Sequence, residues 1–565
     1  MKIVFILYIS FMASLSAYAQ FAGGSGTEKS PYLVSDAYQL SDVRNYPNCY
    51  FKQINDIDLS EWIDDNSPRL GWAPIGTSVS PFNGTYDGDS YSIKGLRIYR
   101  PTSDCVGLFG CVSSENASLK NICLYGAYIE GETNVGFISG ANSGNTIICG
   151  CVVNGGRISG QTNVGGIVGT TTAEVHDCYV FADIINALGD CGGIVGSTVH
   201  STYNNYVYAN ISSSGNAGGI VGKSFQNRVN WDGSDVSVNG ELHDSRFDGT
   251  VTSSTYAGGI IGWDNYNHHY TSISSYKPVT YYHNVNDGLN VNRCFTGKGN
   301  VKSSVSASGI VGFRVVDEYY LPNPGSQTSN SVCALSYIES PLCYRIQNVA
   351  DGHDNIASLN TTFIINGTPD NDIEDNDYNG ISYGDKTLYR ASTYTGLGWD
   401  MTNTWTIEEG NNYPYLKRMS KAPTVEDYVT GSKCSIKGTG SNNGIINIIK
   451  NGEVYSAVIV DGRFEINIGA VNVGDTIYYN AVESNKQPSI VQQIVIENKI
   501  PELETILGDS NSDGAVDAAD VVGTINYILG KPSSSFNQQN ADVNEDGQIL
   551  VDDAVGTVNV IMNNQ

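Results

Sequence analysis

The clearest regularity along the chain is a short apolar motif built around glycine, of which Val164-Gly-Gly-Ile-Val-Gly169 is one copy. Its first glycine position, a serine in the last copy, falls at residues 107, 136, 165, 192, 218, 258 and 308. Successive steps are therefore 29, 29, 27, 26, 40 and 50 residues. Four near-constant steps followed by two longer ones predict regular structural units with two late insertions.

A second short apolar segment lies between the glycine motifs, as in Asn121-Ile-Cys-Leu124 and Asp177-Cys-Tyr-Val180. Units of two or three short strands cannot bury their apolar faces alone, whereas stacked units form a continuous core. We therefore predict a parallel β-solenoid, or β-helix, in which the Ile and Val of each motif point inward. The glycines would provide tight turns or a close approach between coils.

These repeats resemble the GLUG motif of bacterial surface proteins. The entry segment Phe21-Ala-Gly-Gly-Ser-Gly-Thr27, with a short helix predicted from Ser35, is similar to the usual start of such domains. Their closing segment is similar to Gly398-Trp-Asp400, Trp405-Thr-Ile407 and Gly410-Asn-Asn-Tyr-Pro-Tyr-Leu416. The resemblance implies a solenoid over residues 20–421. It does not imply an activity, because such domains accompany adhesins and some proteases alike.

Residues 422–503 follow a different pattern, with short alternating stretches separated by Asn-Gly, Asp-Gly and Gly-Asp turn signals. The stretches are 445–449, 454–460, 464–468, 477–482 and 490–496. Short strands at this spacing predict a small β-sandwich that resembles bacterial immunoglobulin-like modules and serves as a spacer. The overall fold class is therefore all-β, with a small helical domain to follow.

Residues 504–565 contain two copies of one twelve-residue pattern, which begin at Asp509 and Asp542. Oxygen donors at positions 1, 3, 5 and 12, with a backbone carbonyl at position 7, suit calcium, which takes six to eight oxygen ligands. Glycine at position 6 allows the sharp turn of such a loop. The predicted ligands are Asp509, Asn511, Asp513, the carbonyl of Ala515, Asp517 and Asp520 in the first loop, and Asp542, Asn544, Asp546, the carbonyl of Gln548 and Asp553 in the second.

Each loop leads into an apolar-periodic segment that predicts a helix. Position 12 is Asp rather than the Glu of an EF-hand, and no helix signal precedes either loop, so the pair resembles a type I dockerin. The resemblance implies two calcium ions and a cohesin-like partner. The face that it implies for this partner includes Gly523, Thr524, Gly556 and Thr557. In the alternative interpretation, the helix pair packs on its own β-sandwich as a calcium-stabilised cap.

Position 9 distinguishes the two loops, because Asp517 can coordinate directly or through water whereas Leu550 cannot. The second site is therefore predicted to be weaker or completed by water.

The N-terminus predicts export. Lys2 precedes an apolar run over residues 3–12, and Ala17-Tyr18-Ala19 matches the A-x-A cleavage pattern. We expect a signal peptide over residues 1–19 and a secreted or cell-surface protein, without a transmembrane segment. The net charge of −27 argues against nucleic-acid binding, which requires clustered Lys and Arg.

The twelve cysteines leave two alternatives open. Cys123, Cys151, Cys178 and Cys294 fall at matching points of the repeat, which predicts buried thiols in one column of the core. An exported protein can instead form disulfides. Cys105 and Cys111 are the first pair to consider for that alternative.

Aromatic side chains are concentrated in the later insertion. Exposed rings can stack on sugars or anchor a protein, or they can pack the insertion onto its support. The candidate ligand-binding residues are Trp263, Tyr266, Tyr270, Tyr276, Tyr281 and Tyr282. The histidines at 268, 269 and 283 offer a transition-metal alternative without a defined spacing.

We therefore expect a non-enzymatic adhesin or glycan-interacting surface protein. The alternative is a polysaccharide-degrading β-helix enzyme, a glycoside hydrolase or lyase, that carries a dockerin. Such enzymes need two carboxylates or a calcium–basic pair in one groove. The sequence pairs no two carboxylates in this way and contains no HExxH or GxSxG motif, so no catalytic residue is predicted.

Overall fold

The computed structural model describes residues 20–114, 117–198, 200–224, 240–264, 273–274, 277–278, 289–314, 327–347, 354–370, 373–429, 434–451, 453–497 and 506–563. These residues form two compact units. The larger unit holds the described residues up to 429 together with 434–469 and 476–494, and the smaller holds 470–475, 495–497 and 506–563. The predicted signal peptide lies outside the described residues.

In the first part of the larger unit, strands from successive coils stack side by side and form four mainly parallel sheets, here called sheets A to D. This arrangement is consistent with a parallel β-solenoid. Sheet A contains Tyr32–Val34, Tyr50–Gln53, Thr85–Asp87, Ser118–Lys120, Ile147–Cys149, Val175–His176, Thr202–Tyr203, Glu241–His243, Asn290–Asn292 and Thr328–Ser329. Sheet B contains Ile57–Asp58, Ser92–Lys94, Arg97–Tyr99, Cys123–Glu130, Val152–Gly160, Tyr179–Ala187, Tyr206–Ser213, Arg246–Ser253, Phe295–Ser303, Val332–Cys333, Tyr337–Glu339, Ile356–Ser358, Thr362–Ile365, the antiparallel Thr368–Asp370, and Ile381–Tyr383.

Sheets C and D carry the glycine motif. Sheet C contains Asp104–Val106, Thr133–Gly136, Thr162–Gly165, Cys191–Gly192, Ala217–Gly218, Tyr256–Gly258, Ser306–Ser308 and Leu342–Tyr344. Sheet D contains Phe109–Ser113, Ser139–Ser143, Val168–Thr171, Val195–Thr198, Val221–Ser224, Ile261–Asp264 and Val311–Arg314. The unit's helical segments are Ala37–Asp42, which Asp36 caps, the 3₁₀ turn Val43–Asn45, Ser60–Asn66, Asp385–Leu388 and Ala391–Gly396. Two short antiparallel pairs join Ile273–Ser274 to Lys277–Pro278 and Trp405–Thr406 to Tyr415–Leu416.

The glycine motifs stack in the register that their spacing predicts. Gly136 pairs with Gly165, and the pairing continues through Gly192, Gly218 and Gly258. The isoleucine of each of the last five motif copies is fully buried, at Ile167, Ile194, Ile220, Ile260 and Ile310. The repeat therefore forms one continuous aliphatic core.

Two glycines of one motif are required for different reasons. A Cβ on Gly165 would lie 2.0 Å from the carbonyl oxygen of Val168, within the same turn. A Cβ on Gly166 would lie 2.0 Å from the carbonyl oxygen of Gly193, on the next coil. The motif therefore uses glycine both for its own turn and for the approach between coils.

Three of the four repeat-matched cysteines occupy one core column. Cys151, Cys178 and Cys294 are completely buried free thiols. Cys123 instead pairs in register with Val152, one residue beyond that column. Because side chains alternate between the faces of a strand, this offset places Cys123 on the outer face of sheet B and corrects its predicted position. Both cysteine alternatives occur, since Cys105 and Cys111 form a disulfide.

A second apolar core covers the outer face of sheet B. Its aromatic row includes Tyr179, Tyr206 and Phe295, which the closing segment and residues of the region 445–491 cover. Trp405 Nε1 donates to Asp244 Oδ1 at 2.8 Å, and Trp399 Nε1 donates to the carbonyl of Asn330 at 2.7 Å. The closing segment is thus fixed to the corner between sheets A and B.

Two antiparallel sheets follow the solenoid, close to the predicted strands. One contains Thr424–Val429, Ser435–Thr439 and Arg463–Asn467, and the other contains Glu453–Val458, Ile445–Lys450, Thr476–Val482 and Gln492–Val495. Asn480 Nδ2 donates to Asn154 Oδ1 at 2.8 Å, and Tyr179 Oη donates to the carbonyl of Ser489 at 3.0 Å. These strands therefore pack directly on sheet B, which is a closer association than a spacer requires.

Candidate metal centre

The smaller unit has two main helices, each directly after one of the predicted loops. They are Ala518–Ile528 and Val551–Asn563, with the short helix Gln538–Ala541 between them. Asp517 caps the first helix through a reciprocal capping box with Asp520. The loop and the helix that follows it are thereby joined by side-chain hydrogen bonds.

The first loop closes around its carboxylates. Asp509 accepts hydrogen bonds from the amides of Asp513 at 3.1 Å and Gly514 at 2.9 Å. Asp520 accepts from the amides of Asn511 at 3.0 Å and Asp517 at 2.9 Å. Position 12 therefore connects the beginning of the loop to the first turn of the helix.

The second loop repeats these contacts almost atom for atom. Asp542 accepts from the amides of Asp546 at 3.1 Å and Gly547 at 2.8 Å. Asp553 accepts from the amides of Asn544 at 3.3 Å and Leu550 at 2.9 Å. The duplication read from the sequence is thus a duplication of loop geometry.

The turn at position 6 needs glycine for its backbone conformation alone. Gly514 and Gly547 have φ of 91° and 80°, where residues with a side chain are strained. A Cβ on either glycine would meet nothing within 4 Å, so space is not the constraint. Ser512 and Glu545, at position 4 of each loop, share a φ of 57°.

The charges of this segment are unbalanced. Residues 506–563 contain nine acidic residues and one basic residue, Lys531. Asp509 is 2% exposed, and Asp520 and Asp553 are completely buried. Among the described residues, no ion pair joins these three carboxylates to Lys, Arg or His. Buried carboxylates are stable when a cation or a hydrogen-bond donor compensates their charge, so the loops suit a bound cation.

The donor set fits a hard cation. Each loop offers carboxylate oxygens, an asparagine amide oxygen and a backbone carbonyl, which are the ligands that calcium takes. Within the described ranges no three His, Cys, Asp or Glu side chains gather into a compact cluster. These loops do not require such a cluster, because Asn511, Asn544 and the carbonyls of Ala515 and Gln548 would supply part of the shell.

The two loops differ at position 9, as the sequence predicts, and also at position 11. Asp517 already accepts a hydrogen bond from the Ala519 amide at 2.7 Å, whereas Leu550 offers no side-chain oxygen. Asp552 accepts from Asn544 Nδ2 at 3.1 Å, which places a further carboxylate beside the second loop. Asp552 is not among the ligands predicted from the sequence, although an acidic residue stands there where the first loop has Ala519.

The residues predicted to contact a partner lie at the contact between loops and helices. Thr524 and Thr557 are completely buried, and their contact with a partner stays a prediction. A Cβ on Gly523 would lie 2.8 Å from Ser510 Oγ, and one on Gly556 would lie 3.0 Å from Val543 Cγ1. The Gly-Thr pairs thus allow each helix to approach position 2 of a loop. Their equivalence reflects internal packing.

Exposed apolar side chains follow both helices instead. They occupy equivalent positions, 33 residues apart in the two copies. The first stripe is Val522, Ile525 and Leu529, and the second is Val555, Val558 and Met562. Exposed apolar patches of this kind are typical of protein–protein contacts.

Of the candidate aromatic residues, the structure describes Trp263 alone. Its half-buried ring lies in sheet D, with Lys223 Nζ 4.3 Å from the ring centroid. Tyr266, Tyr270, Tyr276, Tyr281 and Tyr282 lie outside the described residues, as do the three histidines.

Comparison with known proteins identifies the class of the C-terminal module. A type I dockerin domain is found at residues 507–555, which include both loops. Type I dockerin domains bind calcium. Among the described residues, no helix has the length and apolar character to cross a membrane.

Two curated proteins are similar to parts of the chain. The "Putative Gly-rich membrane protein" of Evansella cellulosilytica is 38% identical over 148 residues, which are 25% of this chain and 17% of that protein. Halomucin of Haloquadratum walsbyi is 32% identical over 128 residues, which are 21% of this chain and 1% of that protein. The chain thus spans a small part of the length of either relative.

Proposed function

We propose that this chain is a secreted, non-enzymatic surface protein. Its GLUG-type solenoid, with the immunoglobulin-like sandwich packed on it, would present a binding surface to a glycan or a host-surface ligand. Its dockerin module would bind two calcium ions and attach the chain to a cohesin. The observation that carries the attachment is the exact duplication of loop contacts within the dockerin match.

The surface proposed for the cohesin is the pair of exposed apolar stripes. Leu529 and Met562 are 67% and 66% exposed at equivalent ends of the two helices. Burial of such side chains in an interface would stabilise the complex by roughly 1.5–3 kcal/mol each. The buried Thr524 and Thr557 would contribute by holding the helices in place.

The attachment is tested with purified cohesins immobilised on a sensor surface, in calcium and in chelator. We expect binding in calcium alone, and a loss of roughly tenfold or more when Leu529 and Met562 are both changed to Asp. Val79→Asp is the matched control, because Val79 is an exposed aliphatic residue of the larger unit. Equal binding by the double variant and the wild type would place the interface elsewhere.

The adhesin proposal is tested on mucins and on plant and host polysaccharides. Retention of the chain and release of reducing ends or unsaturated sugars are followed in the same samples. Retention without release supports a non-enzymatic surface protein. Release would instead support the polysaccharide-degrading alternative, and the search for paired carboxylates would move to the solenoid grooves.

A further inference from the structure

A cleft of about 730 Å³ opens over the outer face of sheet B. Its floor comes from three adjacent strands, with Tyr208, Asp248 and Asn300 among the outward side chains. One wall comes from Tyr389 and the closing segment, and the other comes from the sandwich, which contributes Tyr478. All of these residues belong to the larger unit, and none belongs to the dockerin module.

The lining combines aromatic rings with side-chain amides. Tyr208 and Tyr478 contact each other edge to face, with ring centroids 5.7 Å apart, and Tyr208 Oη donates to Gln493 Oε1 at 3.0 Å. On the opposite wall, Asn411 and Asn412 lie near Tyr389 in the lining. A few placed polar groups among aromatic surfaces are the usual composition of a small-ligand site. Amides both donate and accept, which suits hydroxyl groups.

One polar atom of the floor has no protein partner. Asn300 Oδ1 is inaccessible to solvent and accepts no hydrogen bond from any described residue. An acceptor in this state is destabilising by about 1–3 kcal/mol. Asn300 as a whole is half-buried in the cleft lining. A rotation of its amide would bring the covered oxygen to a ligand hydroxyl and remove that penalty. The orphaned acceptor is therefore an observation independent of the shape of the cleft.

The charges of the cleft favour a neutral ligand. Arg246 is buried and paired with Asp248 through Nε at 2.7 Å and Nη2 at 3.0 Å, so these two charges compensate each other. Lys298 is the remaining charged residue of the lining, and it is exposed. An anionic ligand would gain little from one solvated ammonium group.

The floor also disfavours an extended peptide. Peptides that add to a sheet need a free strand edge, where backbone amides and carbonyls are unpaired. Here the strands Tyr206–Ser213, Arg246–Ser253 and Phe295–Ser303 pair with one another and present a sheet face. Only side chains can recognise a ligand on such a surface.

We propose that this cleft binds a neutral oligosaccharide, with a sugar ring against Tyr389 and hydroxyl groups at Asn300 and the neighbouring amides. The proposal rests on the proposed function, because it names the site and ligand class of the glycan interaction. It assigns that site to residues other than those predicted in the aromatic insertion.

The test is titration of the purified chain with neutral gluco-, xylo-, manno- and galacto-oligosaccharides, and with an oligogalacturonate, by calorimetry and saturation-transfer NMR. The variants are Tyr389→Ala and Asn300→Ala. Tyr128→Ala is the control, because Tyr128 is an exposed tyrosine of the same sheet outside the cleft. Thermal unfolding of each variant is measured alongside.

We expect saturable binding of a neutral oligosaccharide, with a loss of affinity on the order of tenfold for each cleft variant and none for Tyr128→Ala. Asn300→Ala should not lower the unfolding temperature, because it removes an unpaired acceptor, and this separates loss of binding from loss of structure. Wild-type affinity in both cleft variants would overturn the cleft proposal and leave the glycan function intact. Binding of oligogalacturonate alone would overturn the proposal that the ligand is a neutral oligosaccharide. No binding of any sugar would overturn the cleft and the proposed glycan function together.

Discussion

Removal of calcium is expected to unfold the dockerin module and leave the solenoid intact. Between residues 506 and 563 the buried apolar side chains are Ala541 and Ala554, which cannot form a substantial core. In the same segment, Asp509, Asp520 and Asp553 are buried carboxylates without a cationic partner among the described residues. The fold of the module therefore depends on its loops more than on apolar packing.

The expected magnitude follows from linkage. An ion that binds the folded form alone stabilises it by about 2.7 kcal/mol at a concentration of 100 Kd, so two sites contribute roughly 5 kcal/mol. A domain of about 60 residues has a total stability of roughly 3–9 kcal/mol. Loss of both ions therefore removes a large share of the stability, and cleavage by protease should become rapid.

The assay is limited proteolysis of the whole chain in calcium and in chelator, with fragments identified by mass spectrometry. Cleavage within 506–563 should accelerate in chelator and slow again when calcium is restored, whereas cleavage within 20–497 should not change. Asp509→Ala and Asp542→Ala should each remove one ion from a calcium titration. Asp64→Ala, at an exposed surface ion pair, is the control. An identical cleavage pattern in calcium and chelator would refute the reasoning.

Two further predictions concern the larger unit. Burial would raise the pKa of Asp244, but hydrogen bonds from His243, Arg293 and Trp405 outweigh it and lower the pKa to about 2. The lowered pKa of Asp244 stabilises the folded state by roughly 2 kcal/mol at pH values above the unfolded-state pKa. This stabilisation is lost as the pH falls from about 4 to 2. Asp244→Asn should therefore flatten the fall in unfolding temperature over that range, and an unchanged pH profile would contradict the assignment. Gly166→Ala should lower the unfolding free energy by roughly 1–3 kcal/mol in urea melts, because its Cβ would collide with the next coil. Gly396→Ala, where a Cβ meets nothing within 4 Å, should have little effect, and equal losses at both positions would contradict the steric explanation.

The solenoid could be predicted from the sequence because its constraints repeat. The spacing of Gly136, Gly165 and Gly192 gives the strand register directly, since each glycine faces its equivalent on the next coil. Periodicity also located five strands of the two antiparallel sheets and the two helices of the module, but it missed Thr424–Val429 and Ser435–Thr439. Cys123 was misplaced because an offset of one residue, which changes the face of a strand, leaves the local composition almost unchanged.

The covered outer face of sheet B could not be predicted in this way. Tyr179 and Tyr206 are outward-facing aromatic residues, and their cover comes from segments more than 200 residues later in the chain. No local sequence pattern encodes such a contact, because it depends on how the later strands pack against sheet B. The cleft has the same origin, with walls from two segments that the sequence does not place side by side.

The burial of Thr524 and Thr557 indicates how calcium would control attachment. Asp520 and Asp553 connect each loop to the first turn of its helix through the amides of Asp517 and Leu550. The Gly-Thr pairs then hold the helices against the loops, and the apolar stripes lie on the exposed side. A cohesin that contacts the stripes would therefore require intact loops without touching an ion. Docking should accordingly be lost with calcium even when every stripe residue is present.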